Sequence, residues 1–335
     1  MKQFTAEIKD LSTYRTQLMG MATLMIIACH APASGVVMPH LLTRIFTQGN
    51  YGVDLFLLLS GLGVYYSLSK QPVTSLLGGA FYYKRRFNRI FIPYLMVYIP
   101  YCIFMMLIGK YTIGDSVLCV TALEYWACHR GAWFVSLILV LYLLSPLLFR
   151  LMESKGRWIY VVAIITGIVA ICNWPVIDSS GSGFLSNVIF ALGRVPCFIL
   201  GMAVGKACQQ NIKVSAAWFI LPVVLYVVSV KVFSVYDALV WMLIPLMTYL
   251  LLLFLKLIKN ITWCVSTFNF LGKISLESYL TNITINSLLL NLIPTFLASS
   301  LFYGRWFEYS IVVVGGLTVA YFVNIASLLI KDKKK

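Results

Sequence analysis

The amino-acid sequence predicts an all-α polytopic membrane protein, a bundle of about ten transmembrane helices with both termini cytoplasmic. Three observations lead there. Hydrophobic residues make up 61% of the 335 residues and charged residues only 11%, whereas apolar usage in a soluble domain is nearer one half. Mean hydropathy is +0.89. Lysine and arginine are also distributed very unevenly between alternate loops, the signature of a chain threaded back and forth through a bilayer.

The predicted spans fall at 18–37, 51–69, 90–109, 132–151, 158–173, 188–206, 215–233, 238–257, 274–293 and 309–330. Each is an apolar run judged against about 30 Å of hydrocarbon at about 1.5 Å rise per residue. The first run, LMGMATLMIIACHAPASG, is interrupted by a single imidazole, His30. The second, YGVDLFLLLSG onward, carries Asp54 and Ser60 about one and two turns or more from its start. The third follows Lys84, Arg85, Arg86 and Arg89, and the fourth is the nearly uniform GAWFVSLILVLYLLSPLL. The fifth is the shortest and is bounded by Trp158 and Trp174, aromatic anchors suited to the membrane interface. The sixth contains Arg194 in IFALGRVPCFILG, the seventh and eighth are predominantly apolar with Lys231 and Lys256 near their ends, and the tenth precedes a basic end. The ninth differs: Ser275, Tyr279, Asn282 and Asn286 recur at helical spacing, a polar stripe that needs partners or water inside the bundle. Glu277 lies on another face, one turn from Lys273, as a local ion pair would.

Counting by loop, 20 of the 26 lysines and arginines share one side; Arg44, Lys110, Arg130, Lys231 and Arg305 share the other, and Arg194 lies within a span. Both termini are therefore expected in the cytoplasm of a multi-pass cell-membrane protein. Anionic membrane lipid accounts for the net charge of +15, so no nucleic-acid partner is expected. A cleaved signal peptide is disfavoured although APA at 31–33 imitates a cleavage site: Glu7 and Asp10 precede the run, and its loss would spoil the charge bias. No repeat, phosphate loop or soluble domain interrupts the chain, which reads as one domain, 1–335. Its eight cysteines show no C-x-x-C pair or zinc spacing, so no metal is expected. Cys119 and Cys128 share the outer segment 110–131, where apolar packing is favoured over a disulfide. That segment also carries Glu124, His129 and Arg130 among aromatics, a composition suited to the mouth of a cavity.

Depth along the helices singles out three costly side chains. His30 lies 12 residues beyond Leu18, roughly 18 Å up an outward-running helix. Asp54 and Arg194 lie about one and two turns into helices that start outside. A lone histidine bonded to a carbonyl, an interfacial Asp54, and an Arg194 that snorkels or pairs with Asp54 are the structural alternatives. Three such groups at one level favour a polar chamber. On the cytoplasmic side the cluster Lys84, Arg85, Arg86 and Arg89 suits phosphate, because a guanidinium fork matches phosphate oxygens; topogenic charge is the alternative.

These motifs resemble a known family. YGVDLFLLLSG resembles the G-V-D-x-F-F-x-L-S-G signature of the integral-membrane acyltransferase family 3, of the glycan O-acyltransferase type. RRFNRIFIPYL resembles its R-R-x-x-R-I-x-P-P-Y segment, GAWFVSLILVLYLLSPLL its W-F stretch, and LGKISLESYL its late G-K-I-S-x-x-x-Y-L motif. The resemblance implies a ten-helix enzyme that takes an acyl group, commonly acetyl, from cytoplasmic acyl coenzyme A to a hydroxyl of an extracytoplasmic glycan or lipid-linked saccharide. It implies a catalytic His30, with Asp54 as the signature acid and Arg86 and Arg89 in the basic segment. The position eleven before His30 is Met19 where the family has arginine, with Arg15 one turn lower; Asn282 stands where many relatives have histidine. In the implied chemistry His30 acts as general base or accepts the acyl group itself. Asp54 holds the ring tautomer, and Arg194 or a helix dipole stabilises the oxyanion. Arg15, Arg86 and Arg89 grip the donor, and Ser60, Tyr279 and Asn282 line the cavity. The competing expectation is a transporter of a glycan or lipid-linked precursor, since a ten-helix bundle with a polar chamber also describes a carrier.

Overall fold

The computed structural model describes residues 7–73, 76–128, 130–154, 156, 161–162, 164–168, 184–212, 217–233, 241–292 and 305–332. Among them regular structure is entirely helical. In chain order the helices are α1 (Asp10–Thr13), α2 (Arg15–Ala33), α3 (His40–Thr47), α4 (Tyr51–Lys70), α5 (Leu76–Leu107), α6 (Ile113–Val120), α7 (Glu124–Cys128) and α8 (Trp133–Glu153). Beyond residues 171–183 come α9 (Phe184–Leu192), α10 (Val195–Gln209), α11 (Ala217–Phe233), α12 (Ile244–Leu257), α13 (Thr262–Lys273), α14 (Ser275–Leu292) and α15 (Trp306–Asp332). Among the described residues six stretches are long and apolar enough to cross a membrane: Arg15–Ala33, His40–Lys70, Gly79–Leu107, Trp133–Glu153, Phe184–Gln209 and Trp306–Ile330. Most of the fifth predicted span, with Trp158 and Trp174, lies outside the described residues, as does His129.

Two boundaries differ from the sequence expectation. The basic segment before the third span is not a loop, because α5 begins at Leu76 and carries Lys84 to Arg89 as helix. Burial explains the extension: Tyr82 is buried, and Arg86 packs its guanidinium over the Tyr82 ring. The outer segment 110–131 is also organised. Thr112 caps α6 in a reciprocal capping box with Asp115. Hydrogen bonds from the Thr112 hydroxyl and backbone N–H, with help from Arg130, hold the Asp115 carboxyl below the usual carboxylate range. Cys119 does not pair with Cys128; both are free thiols, and Cys119 is buried.

The centre of the bundle is α4, packed on α10, α2 and α8. Lipid offers no hydrophobic drive between helices, so close backbone approach at small residues supplies the attraction. At the α4–α10 crossing two glycines face opposite backbones. A Cβ on Gly61 would lie 2.1 Å from the Phe198 carbonyl oxygen, and one on Gly201 would lie 1.9 Å from that of Leu58. Neither obstacle is a flexible side chain, so the helices would have to separate.

Gly201→Ala is therefore expected to destabilise the bundle by ~1–3 kcal/mol or more. Gly315→Ala, where a Cβ meets nothing within 4 Å, is the control. Thermal unfolding of detergent-purified variants should place Gly201→Ala clearly below the other two proteins; equal midpoints would remove the crossing from its central place.

Candidate functional site

The polar stripe of α14 lies against α2, and its members Ser275 and Tyr279 line cavities there. Asn282 accepts a hydrogen bond through Oδ1 from His30 Nδ1, at 2.7 Å. Four residues further on, Asn286 Oδ1 accepts from Ser34 Oγ at 3.2 Å. The Tyr309 hydroxyl donates to the Ile27 carbonyl, and the Asn282 side chain lies beside it. An amide oxygen can only accept, so Nδ1 carries the imidazole proton, leaving Nε2 with the lone pair.

His30 lines a cavity of about 250 Å³ with Ile26, Cys29, Asn50, Val53, Gly131, Trp133, Tyr279 and Ile283. A second, smaller cavity of about 60 Å³ lies toward the opposite end of α2, in a wall that includes Arg15, Ser60, Arg89, Tyr142, Ser275 and Tyr279. Arg15 and His30 are fifteen residues apart on α2, about 22 Å along the axis.

Arginines converge on the second cavity. Arg15 donates from Nε to the Leu59 carbonyl at 2.9 Å and lies over Gly63, where a Cβ would come within 2.8 Å of its Nη2. Arg86 donates from Nη2 to the Gly63 carbonyl at 3.2 Å and stacks on Tyr82 and Tyr142, each about 5.6 Å from ring centre. It is only 8% exposed, and its buried Nε has no hydrogen-bond partner among the described residues. Thus Arg15 and Arg89 form part of the cavity wall, and Arg86 supports the Gly63 turn beneath Arg15. Among the described residues no carboxylate makes an ion pair with Arg15, Arg86 or Arg89.

The three groups that depth placed at one level separate into two arrangements. Asp54, fully buried, forms an ion pair with Arg194, and its other oxygen accepts from the Cys197 thiol at 3.6 Å. Arg194 sits at the break between α9 and α10 and lies over the Phe190 ring, 5.4 Å from its centre. Neither Asp54 nor Arg194 lines the His30 cavity. The expectation that Asp54 holds the His30 tautomer is therefore corrected: Asn282 occupies that position, and the carboxylate is taken up by the nearest buried cation. Sequence reasoning overlooked Tyr309 and Cys197, which carry no signal apart from their place on helices that happen to pack here. It treated Asn282 as a departure from a family pattern rather than as a ring partner. In the outer segment, Glu124 is 2% exposed and accepts from Tyr111 at 2.7 Å.

A family model described as an acyltransferase domain matches residues 18–325. No curated protein and no solved structure matches the chain.

The buried pair yields a test of structural against catalytic roles. Asp54→Ala leaves Arg194 unneutralised within the bundle, and breaking a buried pair costs ~3–5 kcal/mol. Size-exclusion profiles should show loss of folded protein for Asp54→Ala and partial recovery in the charge-free double variant Asp54→Asn/Arg194→Gln. A fully stable Asp54→Ala would argue instead for a role in the reaction.

Proposed function

The chain belongs to this acyltransferase family, and from that premise we propose that it is a membrane O-acyltransferase of the cell membrane. It moves an acyl group, acetyl in the simplest case, from cytoplasmic acyl coenzyme A to a hydroxyl of a cell-envelope glycan or lipid-linked saccharide. The proposal includes ten spans with both termini cytoplasmic, an orientation supported by the 20 to 5 division of loop lysine and arginine.

One observation carries the reading. Arg15 and Arg89, with no carboxylate partner among the described residues, line a cavity on one side of Tyr279, and His30 lines a cavity on the other. Unneutralised guanidinium groups within a membrane protein call for an anion, and phosphate oxygens match their geometry. The phosphates of a coenzyme A thioester supply that charge, and its pantetheine arm then points along α2 toward His30.

At the far end the chemistry requires a base, because a sugar hydroxyl is a poor nucleophile at neutral pH. His30 Nε2 takes the hydroxyl proton while the oxygen attacks the thioester carbonyl. The new C–O bond replaces the C–S bond, and the imidazolium returns its proton to the departing thiolate. Asn282 holds the ring with the proton on Nδ1 and the Nε2 lone pair free for the acceptor hydroxyl, and does so without placing a negative charge beside it. The reaction needs no metal in this scheme.

Kinetics of purified protein, with mass-spectrometric detection of esters on a panel of glycans, separate the two ends of the site. His30→Ala should lower turnover ~10² to 10⁴-fold, the usual worth of general-base assistance, with normal folding and little change in donor KM. Arg15→Ala and Arg89→Ala should instead raise donor KM, each losing ~1.5–3 kcal/mol of charged hydrogen bonding. Near-normal ester formation by folded His30→Ala would remove the histidine from the mechanism. Failure of the wild type to form any ester across broad donor and acceptor panels would overturn the proposed function.

A further inference from the structure

Tyr279 has a position shared by no other side chain of the site. Comparing the two walls, it is the one residue, among the described residues, that lines both the His30 cavity and the Arg15–Arg89 cavity. Its ring is 4% exposed, and its hydroxyl accepts a hydrogen bond from the Phe134 backbone N–H at 3.4 Å. The ring also meets the Phe134 side chain edge-on, with centres 5.5 Å apart and planes at 72°. Phe134 in turn packs against Phe56 at 6.0 Å. Phe56 and Phe134 both belong to the wall on the arginine side. Three aromatic rings from α14, α8 and α4 therefore fill the bundle between the two chambers, and Tyr279 is the member that reaches both.

We propose that Tyr279 is the partition between a donor chamber and an acceptor chamber, and that its ring sets the length of acyl chain the protein transfers. The inference rests on the acyl-transfer reading and adds a specificity-determining residue to it. With phosphates held at Arg15 and Arg89, the thioester carbonyl reaches His30 only past this ring. About 60 Å³ is open on the donor side, against about 250 Å³ beside His30. To bring its carbonyl to His30 the acyl group passes the ring, and an acetyl group does so with small rotations of the rings. Each further methylene presses on Tyr279 and Phe134, whose backbone hydrogen bond and edge-on packing resist displacement. Selection is steric, so it follows ring volume rather than the hydroxyl.

Competition among acetyl, butanoyl and hexanoyl coenzyme A, read as the relative kcat/KM for ester formation on a common glycan, tests the proposal. Wild type should favour acetyl. Tyr279→Ala should shift the ratio of hexanoyl to acetyl transfer by about tenfold or more, within the discrimination a methylene meets at an apolar wall. Tyr279→Phe should keep the wild-type chain-length profile even if its overall rate falls. Tyr279→Leu, which shortens the side chain but keeps apolar packing, covers the case in which the alanine variant does not fold. An unchanged profile in folded Tyr279→Ala or Tyr279→Leu, or a wild type indifferent to chain length, would overturn the partition while leaving acyl transfer standing. A wild type inactive with every donor would refute the acyl-transfer reading itself, and the partition with it.

Discussion

The rule that a polar group inside a membrane bundle must find a partner organises this protein. Hydrocarbon supplies no hydrogen bonds, so each buried donor, acceptor or charge is satisfied by another part of the chain, by water or by a ligand. Applied residue by residue, the rule separates scaffold from site. Asp54 and Arg194 satisfy each other and hold α4 to the break between α9 and α10. His30 is half satisfied, with Nδ1 committed to Asn282 and Nε2 the atom to which the proposed mechanism assigns the proton transfer. Arg15 and Arg89 have no anionic partner among the described residues and face a cavity, which is why the proposed reading seats an outside anion there.

Packing provides the second layer of the account. Gly61 and Gly201 let α4 and α10 approach at backbone distance, bringing Asp54 and Arg194 together from residues 140 apart in sequence. Gly63, one half-turn along the same helix, leaves room for the Arg15 guanidinium and lends its carbonyl to Arg86. A single helix with three glycines thus serves both the scaffold and the wall of the Arg15–Arg89 cavity. Six of its residues from Val53 to Leu59, together with Asp54, are buried.

Much of the fold was legible in the sequence because hydropathy and helix length are one-dimensional properties. The first, second, fourth and tenth predicted spans lie close to Arg15–Ala33, Tyr51–Lys70, Trp133–Glu153 and Trp306–Asp332. The third was misjudged at its start because Lys84, Arg85, Arg86 and Arg89 look like loop residues; Tyr82 burial and the stacking of Arg86 keep the segment helical. For the site, helix rise conveys depth but not which side chains face each other. His30, Asp54 and Arg194 were therefore recognised as costly and placed at similar levels, and the Asp54–Arg194 pair was foreseen as one alternative, while the Asn282 partner of His30 was not. The stripe Ser275, Tyr279, Asn282 and Asn286 was recognisable from its period. Its meaning became visible only when α14 was seen against α2, with Asn282 on His30 and Tyr279 between two chambers.

The central claim is that a donor enters at the arginines and presents its acyl group to His30 past Tyr279. A cryo-electron-microscopy structure with a non-hydrolysable acyl coenzyme A analogue, a thioether or ketone in place of the thioester, tests it most directly. The account predicts phosphate density against Arg15 and Arg89 and the acyl end beside Tyr279 on the side of His30. Phosphates bound elsewhere on the bundle, or an acyl end remote from Tyr279, would contradict it.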